Sequence, residues 1–128
     1  MSLKLLLFVA LGGAIGAVAR YLSMSAVGHW LGHGFPWGTI VVNVVGSFLL
    51  GALIETFALV WSPGEAVRMM VVVGILGAFT TFSTFSLDVH SLVARGSFLS
   101  AGSYVIGSVV VSIAALFAGM ALFRHVWS

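Results

Sequence analysis

The run Gly74-Ile75-Leu76-Gly77-Ala78-Phe79-Thr80-Thr81-Phe82-Ser83-Thr84-Phe85-Ser86 sets two glycines ahead of five hydroxyl side chains in an otherwise apolar region. Glycine and threonine are weak helix formers. A break in a helix here would free backbone carbonyls that find no water in hydrocarbon. A bound ion can satisfy them, the carbonyls taking a cation and the N-terminus of the next half-helix favouring an anion. The alternative is a continuous helix whose hydroxyls bond back to carbonyls one turn earlier. Phe79, Phe82 and Phe85 recur every third residue, which puts Phe82 and Phe85 close together on one helical face. Aromatic edges are electropositive. They attract a passing anion without trapping it as a full charge would, which is what conduction requires; ordinary packing of three phenylalanines is the competing reading.

Two more polar stripes follow helical spacing. Thr39, Asn43 and Ser47 lie at steps of four, as do Tyr104, Ser108 and Ser112. The Asn43 amide has two donors suited to an anion, and is equally suited to an interhelical hydrogen bond. The hydroxyls of the second stripe are rotatable donors that can replace water around a small, strongly hydrated anion, or else pack helices together. Arg20, Glu55 and Asp88 are the ionisable groups in or near the apolar segments, where charge is costly. Glu55 and Asp88 lie near segment ends within reach of the interface, whereas Arg20 is deeper and can draw anions toward a pore mouth.

Other chemistry has little support. His29 and His33 are four apart but lack a third metal ligand. There is no cysteine, so disulfides and thiolate metal sites are excluded. No Ser-His-Asp set, paired carboxylates, Walker loop or G-x-G-x-x-G points to an enzyme. Five Lys and Arg against three Asp and Glu make no basic patch for nucleic acid.

The elements that must position these residues are membrane helices. The 128 residues are 61% hydrophobic and 6% charged, against roughly 25% charged in soluble domains. A crossing needs about 20 apolar residues, which leaves room for four. Helix one is expected from Leu3 to Leu31, ended by the turn-forming segment from Gly28 to Pro36, with Trp30 and Trp37 at the headgroup level. Lys4, the apolar run and Ala17-Val18-Ala19 imitate a signal peptide, but the run continues past Arg20 to Trp30, which favours a retained helix. Helix two is expected from Trp37 to Val60. Ser62-Pro63-Gly64-Glu65 reads as a capping box, so helix three should run from Pro63 to Ala94, with Arg95 and Gly96 closing it. Helix four then runs from Ser97 to Arg124. Gly12 and Gly16 form a G-x-x-x-G step fit for close helix packing. Lys4, Arg68 and Arg124 fall on one side, Arg95 and Arg20 toward the other. Orientation follows this asymmetry, and so small a bias suits a chain that inserts either way up and can pair antiparallel with its own copy.

The segments Gly12 to Tyr21, Gly38-Thr39 with Val42-Asn43 and Gly46, and Gly74 to Ser86 resemble the Fluc (CrcB) family of fluoride channels, the Thr80 to Phe85 stretch most specifically. The resemblance spans the chain. It implies an all-α protein of four transmembrane helices, the third broken in the middle, in the bacterial inner membrane as an antiparallel, dual-topology homodimer with two pores. The implied function is export of cytoplasmic fluoride by passive electrodiffusion. A structural sodium ion on the dimer axis would be the cofactor, held by backbone carbonyls of Gly77 and Thr80. Phe82, Phe85 and Ser83 would line the anion path, Asn43 would donate to fluoride, Tyr104, Ser108 and Ser112 would form a polar track, and Arg20 would sit in the vestibule. Relatives often carry Glu where this chain has Asp88, which leaves that carboxylate's role open. A small dual-topology, proton-coupled multidrug transporter is the alternative; it shares size and helix count but calls for a carboxylate in helix one, where this chain has Arg20.

Overall fold

The computed structural model describes residues 1–128, and its regular structure is entirely helical. Four helical spans are long and apolar enough to cross a bilayer: Leu3–Leu31, Trp37–Leu59, Glu65–Ala94 and Phe98–Trp127. α1 (Leu3–Leu31) opens at Ser2, whose hydroxyl accepts from the Leu5 amide at 3.1 Å, and ends where Gly32 takes φ 80°. α2 (Trp37–Leu59) follows a five-residue connection.

The third span is assembled from pieces. α3 (Glu65–Met69) begins at Gly64, which is extended and makes no side-chain capping bond. The expected capping box at Ser62 therefore does not form. The first helical hydrogen bond runs from the Arg68 amide to the Gly64 carbonyl, so Pro63 remains outside the helix. From Met70 to Leu76 the backbone is π-helical, a wider winding that appears where packing or function demands it. Here it lies against the G-x-x-x-G step of α1. A Cβ added at Gly12 would strike the Met70 carbonyl, and one at Gly16 the Ile75 carbonyl, so two backbones touch and only glycine fits. α4 (Gly77–Phe79) is a single turn that gives way to extended backbone at Thr80, φ −83° and ψ 162°. Helix resumes as α5 (Ser83–Ala94).

α5 closes as the sequence suggested at Gly96, which takes φ 78°. The Gly96 amide reaches the Val93 carbonyl and the Ser97 amide the Leu92 carbonyl, both at 2.9 Å, satisfying carbonyls left over at the helix end. Arg95 donates from Nη2 to the Gly34 carbonyl at 3.0 Å, tying together the two loops at that end of the bundle.

α6 (Phe98–Trp127) passes three residues beyond Arg124, because its last turn is held by α2. Arg124 Nη2 meets Glu55 Oε1 at 2.7 Å, and the Trp127 indole donates to the Thr56 hydroxyl at 2.9 Å. α2 and α6 press backbone to backbone: a Cβ at Gly51 would hit the Leu116 carbonyl, and one at Gly119 the Phe48 carbonyl. The enclosed core is small, centred on Phe85, Leu92, Ala101 and Tyr104. Large apolar side chains such as Leu7, Leu11, Val110 and Phe117 face outward. An outer surface of this kind suits hydrocarbon or a second copy and would be costly in water.

Candidate functional site: a cavity at the interruption of the third span

Between α2, the third span and α6 lies a cavity of about 530 Å³. Its walls include Asn43 and Ser47 from α2, Gly77, Thr80, Thr81, Phe82 and Phe85 from the third span, and Ser108 and Ser112 from α6.

Asn43 clasps the interruption. Its Nδ2 donates to the Thr81 carbonyl at 3.0 Å, and its Oδ1 accepts from the Thr81 amide at 2.8 Å. Both backbone groups that leave helical register at Thr81 are thereby paired, and their donor and acceptor characters fix the orientation of the amide. One Nδ2 hydrogen remains uncommitted. The Thr81 hydroxyl, two residues before the first residue of α5, accepts from the Thr84 amide at 3.2 Å. The interhelical bond envisaged for Asn43 is thus present, and the same side chain also lines the cavity.

These two bonds leave two carbonyls without their helical donors. The Thr81 amide would ordinarily reach Gly77, and the Thr84 amide Thr80; both donate to side-chain oxygens instead. No other backbone amide donates to either carbonyl. Unpaired carbonyls at this depth call for a partner, and hard cations are bound by sets of such oxygens. The hydroxyls also bond backward as the continuous-helix alternative proposed: Thr80 donates to the Leu76 carbonyl and Ser86 to the Phe82 carbonyl, each at 3.0 Å.

Opposite the interruption, the Ser108 and Ser112 hydroxyls are buried without any hydrogen-bond partner. Buried hydroxyls are rarely left so, and both belong to cavity-lining residues. The Phe82 and Phe85 ring centroids are 5.5 Å apart, inclined by 44°. Phe85 is buried, whereas Phe82 is 76% exposed and faces out of this single copy.

Not every expected residue gathers at this cavity. Tyr104 is fully buried and turns away, its hydroxyl donating to Asp88 Oδ2 at 2.8 Å. Thr39 donates to the same oxygen at 2.7 Å. Asp88 is thereby tied to α2 and α6 together while staying partly exposed toward the Arg95 end of the bundle. The Tyr104 ring stacks 5.1 Å from Phe85, so this carboxylate knot adjoins the cavity through one aromatic ring. Ser83 is exposed at the start of α5, and Arg20 is half-buried on α1; neither lines the cavity. Glu55 is paired with Arg124. Sequence reasoning missed two roles, Thr81 as the group clasped by Asn43 and Asp88 as the acceptor for Thr39 and Tyr104. The available signal was that Thr39 and Asn43 share a face, so one stripe could serve two acceptors.

Residues 7–120 match the family described as CrcB-like protein, Camphor Resistance (CrcB). The chain is 52% identical over 122 residues to the fluoride-specific ion channel FluC of Rhodospirillum centenum, covering 95% of this chain and 97% of that one. It is also 52% identical over 124 residues to the fluoride-specific ion channel FluC of Nitrobacter winogradskyi, covering 97% and 98% respectively. A third relative of the same name, from Chelativorans sp., is 50% identical over 121 residues. These relatives are named as ion channels, not enzymes. With four apolar spans and a match over nearly its whole length, the chain is a multi-pass membrane protein that belongs to the CrcB family.

Proposed function

We propose that this protein is a fluoride-selective channel that lets cytoplasmic fluoride leave the cell passively. The observation that carries the reading is the cavity at the interruption. It offers donors and ring edges to an anion, namely a spare Asn43 hydrogen, two unpartnered hydroxyls at Ser108 and Ser112, and the Phe82–Phe85 pair. It holds no Lys, Arg, Asp or Glu among its lining residues. A small anion is thus attracted without being trapped, and donors replace the water it sheds. The names of the relatives supply the identity of the anion.

The working unit in this reading is an antiparallel pair. Phe82 and Gly77 are exposed in one copy, and an unpaired Gly77 carbonyl facing hydrocarbon is costly. A second inverted copy covers that face, consistent with the small Lys and Arg bias between the two ends. The Gly77 and Thr80 carbonyls of the two copies are suited to a sodium ion. When bound, that ion supplies positive charge that neutralises four carbonyl dipoles and staples the pair. Asn43 and Thr81 hold these carbonyls out of helical pairing. The proton-coupled transporter has weaker support, because Asp88 does not line this cavity and both Thr39 and Tyr104 occupy one of its oxygens.

Purified protein in fluoride-loaded vesicles tests the reading. Efflux should require valinomycin to carry compensating potassium and should need no proton gradient. Efflux driven only by a proton gradient would favour the transporter.

A further inference from the structure

Phe85 is the buried member of the ring pair at the cavity, and the way it is turned decides what a passing anion meets. The edge of an aromatic ring is electropositive and its face electronegative, so rotating the ring exchanges attraction for repulsion. Phe82 touches Phe85 from one side but is itself largely exposed. The other ring neighbour is Tyr104, 5.1 Å away and outside the cavity lining. Tyr104 is held in turn at two places. Its hydroxyl donates to Asp88, and its ring meets Phe35 at 5.5 Å, inclined by 88°.

Phe35 belongs to none of the helices; it lies in the connection between α1 and α2. Trp37, Phe35, Tyr104, Phe85 and Phe82 nevertheless form an unbroken row of rings, with successive centroids 4.8, 5.5, 5.1 and 5.5 Å apart. The row runs from the connection to the cavity. The connection is fastened at three points. Arg95 donates to the Gly34 carbonyl at 3.0 Å, the Trp37 amide donates to the Phe35 carbonyl at 2.8 Å, and the His33 ring lies against Gly28 of α1, where a Cβ would strike it. Phe35 is presented from this fixed connection to the buried group that contains Tyr104 and Phe85.

We propose that Phe35 is a positioning residue for the anion path, holding Tyr104 against Phe85 so that the Phe85 edge stays turned toward the passing anion. This role rests on the channel function proposed above. Phe35 acts only through Tyr104, since it does not line the cavity. The near-perpendicular contact of Phe35 with Tyr104 is a preference of rings, which an aliphatic side chain of similar bulk fills but does not reproduce. A contact of this kind is worth roughly two- to tenfold in an equilibrium beyond the area it buries.

Single-channel recording in planar bilayers with fluoride on both sides tests the role. Unitary current belongs to each conducting molecule, so folding yield does not enter it. Phe35→Leu, which keeps apolar bulk without the ring, should lower the unitary fluoride current roughly two- to tenfold. Phe35→Tyr, which keeps the ring, should restore it to within about twofold of the wild type. Should Phe35→Ala give no channels, the Leu and Tyr pair still decides the outcome. A Leu variant that conducts as the wild type does, or a Tyr variant no better than Leu, overturns the role of Phe35 and leaves fluoride conduction standing. A wild-type protein that carries no fluoride current would instead strike the channel function itself.

Discussion

Asn43 holds the interruption together and lines the cavity with the same side chain. Its amide replaces, for Thr81, the two hydrogen bonds a helix would have made. Asn43→Ala leaves a buried amide and carbonyl unpaired, at about 1–3 kcal/mol each. Both thermal stability in detergent and fluoride flux should therefore fall, flux by about tenfold or more if the loss is fully felt at the site. A variant of unchanged melting and flux would show that Thr81 finds other partners. Ser108→Ala and Ser112→Ala give the converse result. Their hydroxyls bond to nothing in the protein, so removing them should leave stability within about 0.5 kcal/mol while lowering fluoride efflux, a separation that denaturation and electrode measurements would reveal together. Asn43, Ser108 and Ser112 were legible from their spacing of four on apolar helices. The partner of Asn43 was not, because a stripe fixes which way a side chain faces and leaves open which backbone atom awaits it.

At the scale of elements, the four spans and the Gly96 closure of the third were legible from apolar length and turn chemistry. The start of α3 was not, since Gly64 adopts extended backbone and defeats the capping pattern at Ser62. The π-helical run from Met70 to Leu76 leaves no periodic trace in a segment that is apolar all round. Its cause lies in another helix, where Gly12 and Gly16 let α1 touch the carbonyls of Met70 and Ile75. Gly16→Val should push these backbones apart at a cost of about 1–3 kcal/mol. Because the run leads into the interruption at Thr80, flux should decline along with thermal stability. Full flux in a destabilised Gly16→Val protein would separate the seam from the site.

The whole molecule turns apolar side chains outward and leaves the cavity at the interruption with one wall short of closure, where Phe82 stands 76% exposed. The inverted second copy proposed above would cover both. A cysteine placed next to Ser128, in a chain that has none of its own, should react with a membrane-impermeant maleimide from both sides of intact vesicles; labelling from one side alone would rule out dual topology. Selectivity provides the sharpest test, because the proposed path has to replace the water of a small, strongly hydrated halide with its own donors and ring edges. Fluoride and chloride electrodes, reading efflux from the same protein-containing vesicles loaded with both salts and treated with valinomycin, should record fluoride released and chloride retained. Release of the two together, or of neither, would contradict a fluoride path through the interruption of the third span.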